Sequence, residues 1–114
     1  MAKYLGMSLF AYTTENLEAG DSWESGTFNE AMAAEICGTV FADKGGTLLI
    51  SQSADGENWD ATKSVTYVAQ TTPGFDCHIW APYVKVSFTN NDPADPTTVC
   101  RVFVYAKYTA GDPL

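Results

Sequence analysis

Residues 45–60 run through two glycines, the apolar triplet Leu48-Leu49-Ile50, the polar Ser51-Gln52-Ser53, the pair Asp55-Gly56 and then Trp59. An Asp-Gly pair reverses a chain readily: glycine takes a positive φ without steric conflict, and aspartate accepts hydrogen bonds from the turn's own amides. Between an apolar run and an aromatic restart it predicts a tight β-hairpin turn, and with it an all-β domain.

The remaining sequence repeats the two-residue period of strands. Val84, Val86 and Phe88 alternate with Tyr83, Lys85, Ser87 and Thr89, so one face of that segment is apolar. Further on, Cys100, Val102, Val104 and Ala106 alternate with Val99, Arg101, Phe103, Tyr105 and Lys107. This last strand carries bulk on both faces, which predicts that its second face is covered, with another subunit as one cover.

Strands are also expected over residues 22–29, 36–42, 47–53, 58–70 and 75–80, the third pairing with the second as a hairpin. A single helical turn is expected over residues 29–34, too short for a stable helix. About seven or eight short strands separated by turns give a single antiparallel β-sandwich, jelly-roll or immunoglobulin-like. The missing disulfide and tryptophan spacing of immunoglobulin domains favours the former. Residues 1–21 read as an N-terminal extended arm and connector, 22–109 as the sandwich and 110–114 as a C-terminal tail. An apolar arm either pairs with its own sheet or reaches a neighbour, and both destinations fit.

A chain of 114 residues buries roughly two thirds of its unfolded surface and needs neither metal nor disulfide to fold. Its net charge of −8, with six scattered Lys and Arg, argues against nucleic-acid binding, which requires clustered cations on phosphates. No apolar run nears the roughly 20 residues of a spanning helix, so a membrane partner is not expected. Cys37, Cys77 and Cys100 are odd in number and lack metal-ligand spacing, so they are expected as buried thiols. No cleavable leader is read before Met7, and synthesis in a reducing cytosol is expected.

No catalytic, metal or cofactor site is expected. His78 is the sole histidine and has no nucleophile motif beside it. Asn90, Asn91, Asp92 and Asp95 offer hard oxygens for calcium but lack the spacing of a calcium loop, and such residues beside proline build turns. Asp55 and Asp60 flank Trp59 in a manner reminiscent of paired glycosidase carboxylates, yet turn capping explains Asp55 more simply. The stretch from Ser53 to Trp59 is also close to the Asp-box of sialidase-type propellers, one residue short. Trp23, Trp59, Trp80, Tyr83 and Tyr105 supply rings suited to a sugar platform, although core or interface packing is the commoner use of such residues.

The segments Ser25-Gly26-Thr27-Phe28, Gly46-Thr47-Leu48-Leu49-Ile50-Ser51-Gln52-Ser53, Asp55-Gly56-Glu57-Asn58-Trp59-Asp60 and Pro82-Tyr83-Val84-Lys85-Val86 together resemble small β-sandwich accessory proteins of tailed bacteriophages. Lys85 stands where that group usually has arginine. Within the group the chain looks most like capsid decoration, or cement, proteins. The resemblance implies a non-enzymatic homotrimer on the outer surface of the virion head, with the major capsid protein as partner. Leu5, Met7, Leu9, Phe10 and Tyr12 are then the expected docking residues, and Trp59, Phe103 and Tyr105 the expected subunit contacts. The alternative is a carbohydrate-binding or tail-associated adhesion module.

Overall fold

Alternating apolar residues sort the strands into two sheets whose inner faces meet. The computed structural model of the chain describes residues 3–29 and 34–110. Its strands are β1 (Lys3–Thr13), β2 (Ser22–Glu24), β3 (Phe28–Asn29), β4 (Glu35–Ala42), β5 (Gly46–Ser53), β6 (Ala61–Tyr67), β7 (Gly74–His78), β8 (Tyr83–Asn90) and β9 (Cys100–Ala110). A four-stranded sheet has the order β1-β9-β4-β7, and a five-stranded sheet has the order β2-β8-β5-β6 with β3 also on β8. All pairings are antiparallel. Counting β2 and β3 as one interrupted strand, this is the jelly-roll order of two packed four-stranded sheets.

The core lies between the sheets. Ile36, Val40 and Ala42 of β4 and Val102, Val104 and Ala106 of β9 face Leu48 and Ile50 of β5 and Val84, Val86 and Phe88 of β8. Buried polar side chains tie the loops to it. Asn90 donates from Nδ2 to the carbonyls of Leu17 at 3.2 Å and Asp95 at 3.1 Å, while its Oδ1 accepts the Asp92 amide at 3.0 Å. The Tyr67 hydroxyl accepts the Ala42 amide at 3.0 Å and donates to the Thr71 carbonyl at 2.6 Å. Every buried side-chain nitrogen and oxygen among the described residues has a partner, as a satisfied core requires.

Several expectations are corrected. The N-terminal segment takes the first of its two expected destinations, its own sheet: β1 pairs with β9 from Lys3↔Ala110 to Thr13↔Val102, so the sandwich starts well before residue 22. β5 is not the hairpin partner of β4. β4 pairs with β7 and β9, whereas β5 pairs with β6 and β8, so the Lys44-Gly45 turn carries the chain across the sandwich. The strand expected over residues 22–29 breaks at Gly26, whose φ is +84°. There the Ser25 hydroxyl accepts the Val86 amide at 2.9 Å, and the Ser25 amide donates to the Val86 carbonyl at 2.8 Å.

Asp55-Gly56 does lie between two paired strands, and Gly56 has φ +82°. The connection is longer than a tight turn, because β5 and β6 pair only up to Gln52↔Ala61. Of the helical turn expected over residues 29–34, residues 30–33 lie outside the described residues and Asn29 is the last residue of β3. Of the expected tail only Ala110 is described, as the last residue of β9.

Candidate binding surface

The two outward faces of the sandwich differ in chemistry. The five-stranded sheet presents Thr47 of β5, Thr62, Ser64 and Thr66 of β6, and Ser87 and Thr89 of β8, following the register of their buried neighbours, with Ser51 of β5 on the same side but buried. A hydroxyl-rich outer face is what an antiparallel sheet shows to water. Trp59 lies on this side, with the Lys85 ammonium 4.4 Å from its ring centroid, and it is not brought to the other expected contact residues.

The outer face of the four-stranded sheet is aromatic. Tyr12 of β1 stacks on Phe103 of β9 with ring centroids 5.7 Å apart and planes 6° from parallel. Leu9 stands opposite Tyr105 in the register, and the Arg101 guanidinium sits 4.9 Å from the Phe41 ring centroid. Among its described side chains this face carries both signs: Glu35 and Asp76 as well as Arg101 and Lys107, with Lys107 Nζ 3.4 Å from Glu35 Oε2 and Asp76 Oδ1 4.0 Å from Lys63 Nζ of β6. Residues expected as a docking arm and as subunit contacts therefore share one surface. Phe10 is the exception, packing edge-on against Phe28 at 4.8 Å on the core side. Of Leu5 and Met7 only the backbone is described.

A groove of about 300 Å³ indents the aromatic face, lined by Thr39, Phe41, Arg101 and Phe103 and closed by Thr72 and Pro73 of the loop before β7. At the far end of β7 the loop turns outward at Trp80, which is 58% exposed. Gln52, 1% exposed, holds that loop with its whole amide. Its Nε2 donates to the His78 carbonyl at 2.8 Å, and its Oε1 accepts the amides of Trp80 at 2.7 Å and Ala81 at 3.1 Å. The sequence reading missed this presentation of Trp80; its one signal was an apolar Ile79-Trp80-Ala81-Pro82 run ending in proline.

The other chemistry-bearing residues have structural employment. Asp55 Oδ1 accepts the amides of Glu57 and Asn58 at 2.8 Å each and its Oδ2 accepts Asn58 Nδ2 at 2.7 Å. Led by the Asn58 amide, these bonds hold the Asp55 carboxyl well below the usual carboxylate range. Asp92 Oδ1 caps its loop by accepting the Ala94 and Asp95 amides at 2.9 and 2.8 Å, which lowers its pKa, the Ala94 amide foremost. The Cys37, Cys77 and Cys100 thiols are free and buried, and desolvation pushes each up. Among the described residues no group of three His, Cys, Asp or Glu side chains is set to hold a metal.

A family model described as the N-terminal domain of the uncharacterised protein YqxG matches residues 1–101. The chain belongs to the YqxG N-terminal domain family. Among solved structures, the crystal structure of PBSX exported protein XepA is similar at TM-score 0.76 and 17% identity, over 96% of this chain and 39% of that one. This YqxG-type domain thus spans less than half of XepA, and at that identity the likeness establishes the shared fold. A CBM4 structure aligns at TM-score 0.47 and 12% identity over 96% of this chain and 78% of that one. The carbohydrate-binding module CBM6cm-2 of Cellvibrio mixtus lichenase 5A, in complex with cellotriose, aligns at TM-score 0.39 and 16% identity over 90% and 88%. At those scores neither bears on this domain's ligands. No curated protein matches the chain.

Proposed function

We propose that this domain is a non-enzymatic virion accessory protein that decorates the outer surface of an assembled phage head, contacting the major capsid protein and acting as a homotrimer. The observation that carries the reading is the aromatic outer face of the four-stranded sheet, which carries both Arg101 and Lys107, on a chain of net charge −8. Elsewhere an acidic surface repels its own kind and favours solvation. A stacked Tyr12–Phe103 pair with Leu9, Tyr105 and Phe41 beside it is a surface that gains by being covered. The fold shared with a PBSX exported protein supports a phage setting. Several linked copies turn individually weak contacts into lasting occupancy of a shell.

Co-sedimentation with purified, expanded heads of the parent phage tests the proposal. Saturable occupancy that falls at least tenfold on Tyr12→Ser with Phe103→Ser supports it, and occupancy untouched by those changes removes it. A second reading, a glycan-binding module, is favoured by the exposed rings of Tyr12 and Trp80, since aromatic faces stack on sugars. Saturable quenching of tryptophan fluorescence by a soluble cell-wall polysaccharide, without head binding, would select it.

A further inference from the structure

Along the outer face of the four-stranded sheet one cross-strand row steps down from two rings to no side chain at all. Tyr12 pairs with Phe103, Phe103 with Thr39, and Thr39 with Gly74. Neighbouring strands lie about 4.8 Å apart, so beside Phe103 the sheet continues for about 10 Å under nothing larger than a threonine. The groove of about 300 Å³ arises there. Phe103 walls it on one side, Thr72 and Pro73 on the other, and the adjoining row of Phe41 and Arg101 bounds it at one end.

Arg101 gives the groove a ligand class. Lys44, Lys63 and Lys107 each stand within 4.0 Å of a carboxylate. Arg101 has no carboxylate partner among the described residues; it is exposed, and its guanidinium lies 4.9 Å from the centroid of the Phe41 ring. A ring occupies the face of a guanidinium and leaves the in-plane N–H groups for a planar, bidentate acceptor. We infer that the Phe103–Thr39–Arg101 groove binds a sugar acid, a pyranose ring carrying one carboxylate within an otherwise neutral glycan.

The walls select this occupant. The Phe103 ring offers a flat apolar surface to the C–H side of a pyranose. Thr39 and Thr72 offer hydroxyls that both donate and accept, as sugar hydroxyls require. The guanidinium fork matches the carboxylate. An acidic peptide side chain would use the fork but leave the ring wall and both threonines unmatched. A polyanionic glycan is disfavoured, because a chain of net charge −8 repels the charges that extend beyond the groove. The volume of the groove equals that of roughly ten waters, room for one sugar ring.

The inference rests on the glycan reading above and deepens it by assigning a site and a sugar class, and it makes no use of head binding.

Two probes test it: aldotetraouronic acid, a xylotriose bearing a single glucuronate, and the same oligosaccharide with its carboxyl reduced to the alcohol. Calorimetric titration of the intact chain should show saturable binding of the acid. Binding should weaken by about tenfold or more for the reduced probe and for Arg101→Gln, the loss expected of a hydrogen-bonded charge pair. Gly74→Leu tests the groove without touching the cation. A Cβ at Gly74 meets only the Gly38 carbonyl oxygen, at an ordinary 3.5 Å, while the longer side chain fills the floor, so binding should be lost with Arg101 in place. Both positions are exposed, and thermal melting verifies folding. Thr39→Tyr, at an exposed strand position that suits an aromatic, replaces Gly74→Leu if that variant melts early. Equal affinity for acid and alcohol, or full binding by either variant, overturns the inference and leaves the glycan reading standing. Binding of neither probe also overturns it, and the glycan reading falls with it only if the cell-wall polysaccharide fails to quench tryptophan fluorescence.

Discussion

Tyr12 and Phe103 stack nearly parallel because β1 carries a bulge. Leu9 pairs with Tyr105, but the next regular pair is Ala11 with Val104, so one extra residue enters β1 at Phe10. Without it, strict alternation would put Tyr12 on the side opposite Leu9. With it, Leu9 and Tyr12 both face outward over β9, and Phe10 turns toward Phe28.

A double-mutant cycle on that pair should show coupling. Tyr12→Ala and Phe103→Ala, followed by urea unfolding, are expected to couple by about 0.5–1.5 kcal/mol. Strict additivity would mean that the rings do not interact in solution.

Gln52→Ala should cost about 2–4 kcal/mol, because it opens a cavity and strips the partners from the His78 carbonyl and the Trp80 and Ala81 amides. Hydrogen exchange should lose protection at the amides of Trp80 and Ala81 while the β8 amides keep theirs. Unchanged protection at both positions would contradict the assigned role.

Acid should loosen the loop between β5 and β6. The depressed pKa of Asp55 means that its stabilisation is complete above its unfolded value near pH ~4 and is lost as pH falls from there through the folded value. Asp92, held down by loop amides, and Asp43, held down chiefly by the Thr98 hydroxyl, act in the same direction. Melting temperature should therefore drop below pH ~4, and Asp55→Asn should show a lower melting temperature at neutral pH with a shallower acid decline. Parallel curves for the two proteins would refute the assignment.

Gly38→Ala should destabilise by about 2–3 kcal/mol. A Cβ there would collide with the Phe103 carbonyl oxygen and approach the Phe75 ring to 2.8 Å, and the backbone half of that contact cannot move without disturbing the β4–β9 ladder. An unchanged urea midpoint would show that β4 and β9 approach less closely.

The three thiols should be silent to a thiol reagent at neutral pH in the folded protein and titrate fully in denaturant, since burial both shields them and raises their pKa values. Fast reaction of any one in the native state would mean that its strand opens.

Much of the architecture was legible in residues such as Val84, Val86 and Phe88. Period-two alternation is local and reports directly which side of a strand is buried, and β8 follows it from end to end. Asp55-Gly56 likewise marked the β5–β6 connection, because its turn chemistry is satisfied within a few residues. The candidate surface was half legible. Leu9, Tyr12, Phe103 and Tyr105 stood out as bulk in excess of one core, but as two separate groups, and Trp80 passed as one aromatic among several.

The sequence by itself thus determined an antiparallel sandwich with apolar inner faces, no clustered cations and a capped loop after β5, all consequences of neighbours along the chain. The tertiary structure alone decided that β1 closes the four-stranded sheet, that β4 and β5 part company, and that Leu9, Tyr12, Phe41, Phe103 and Tyr105 share one face. Each of these depends on pairings between distant segments and on a single-residue bulge. The physical reason is that strand partners are selected by how two whole sheets bury each other, a sum over the fold that no local window contains.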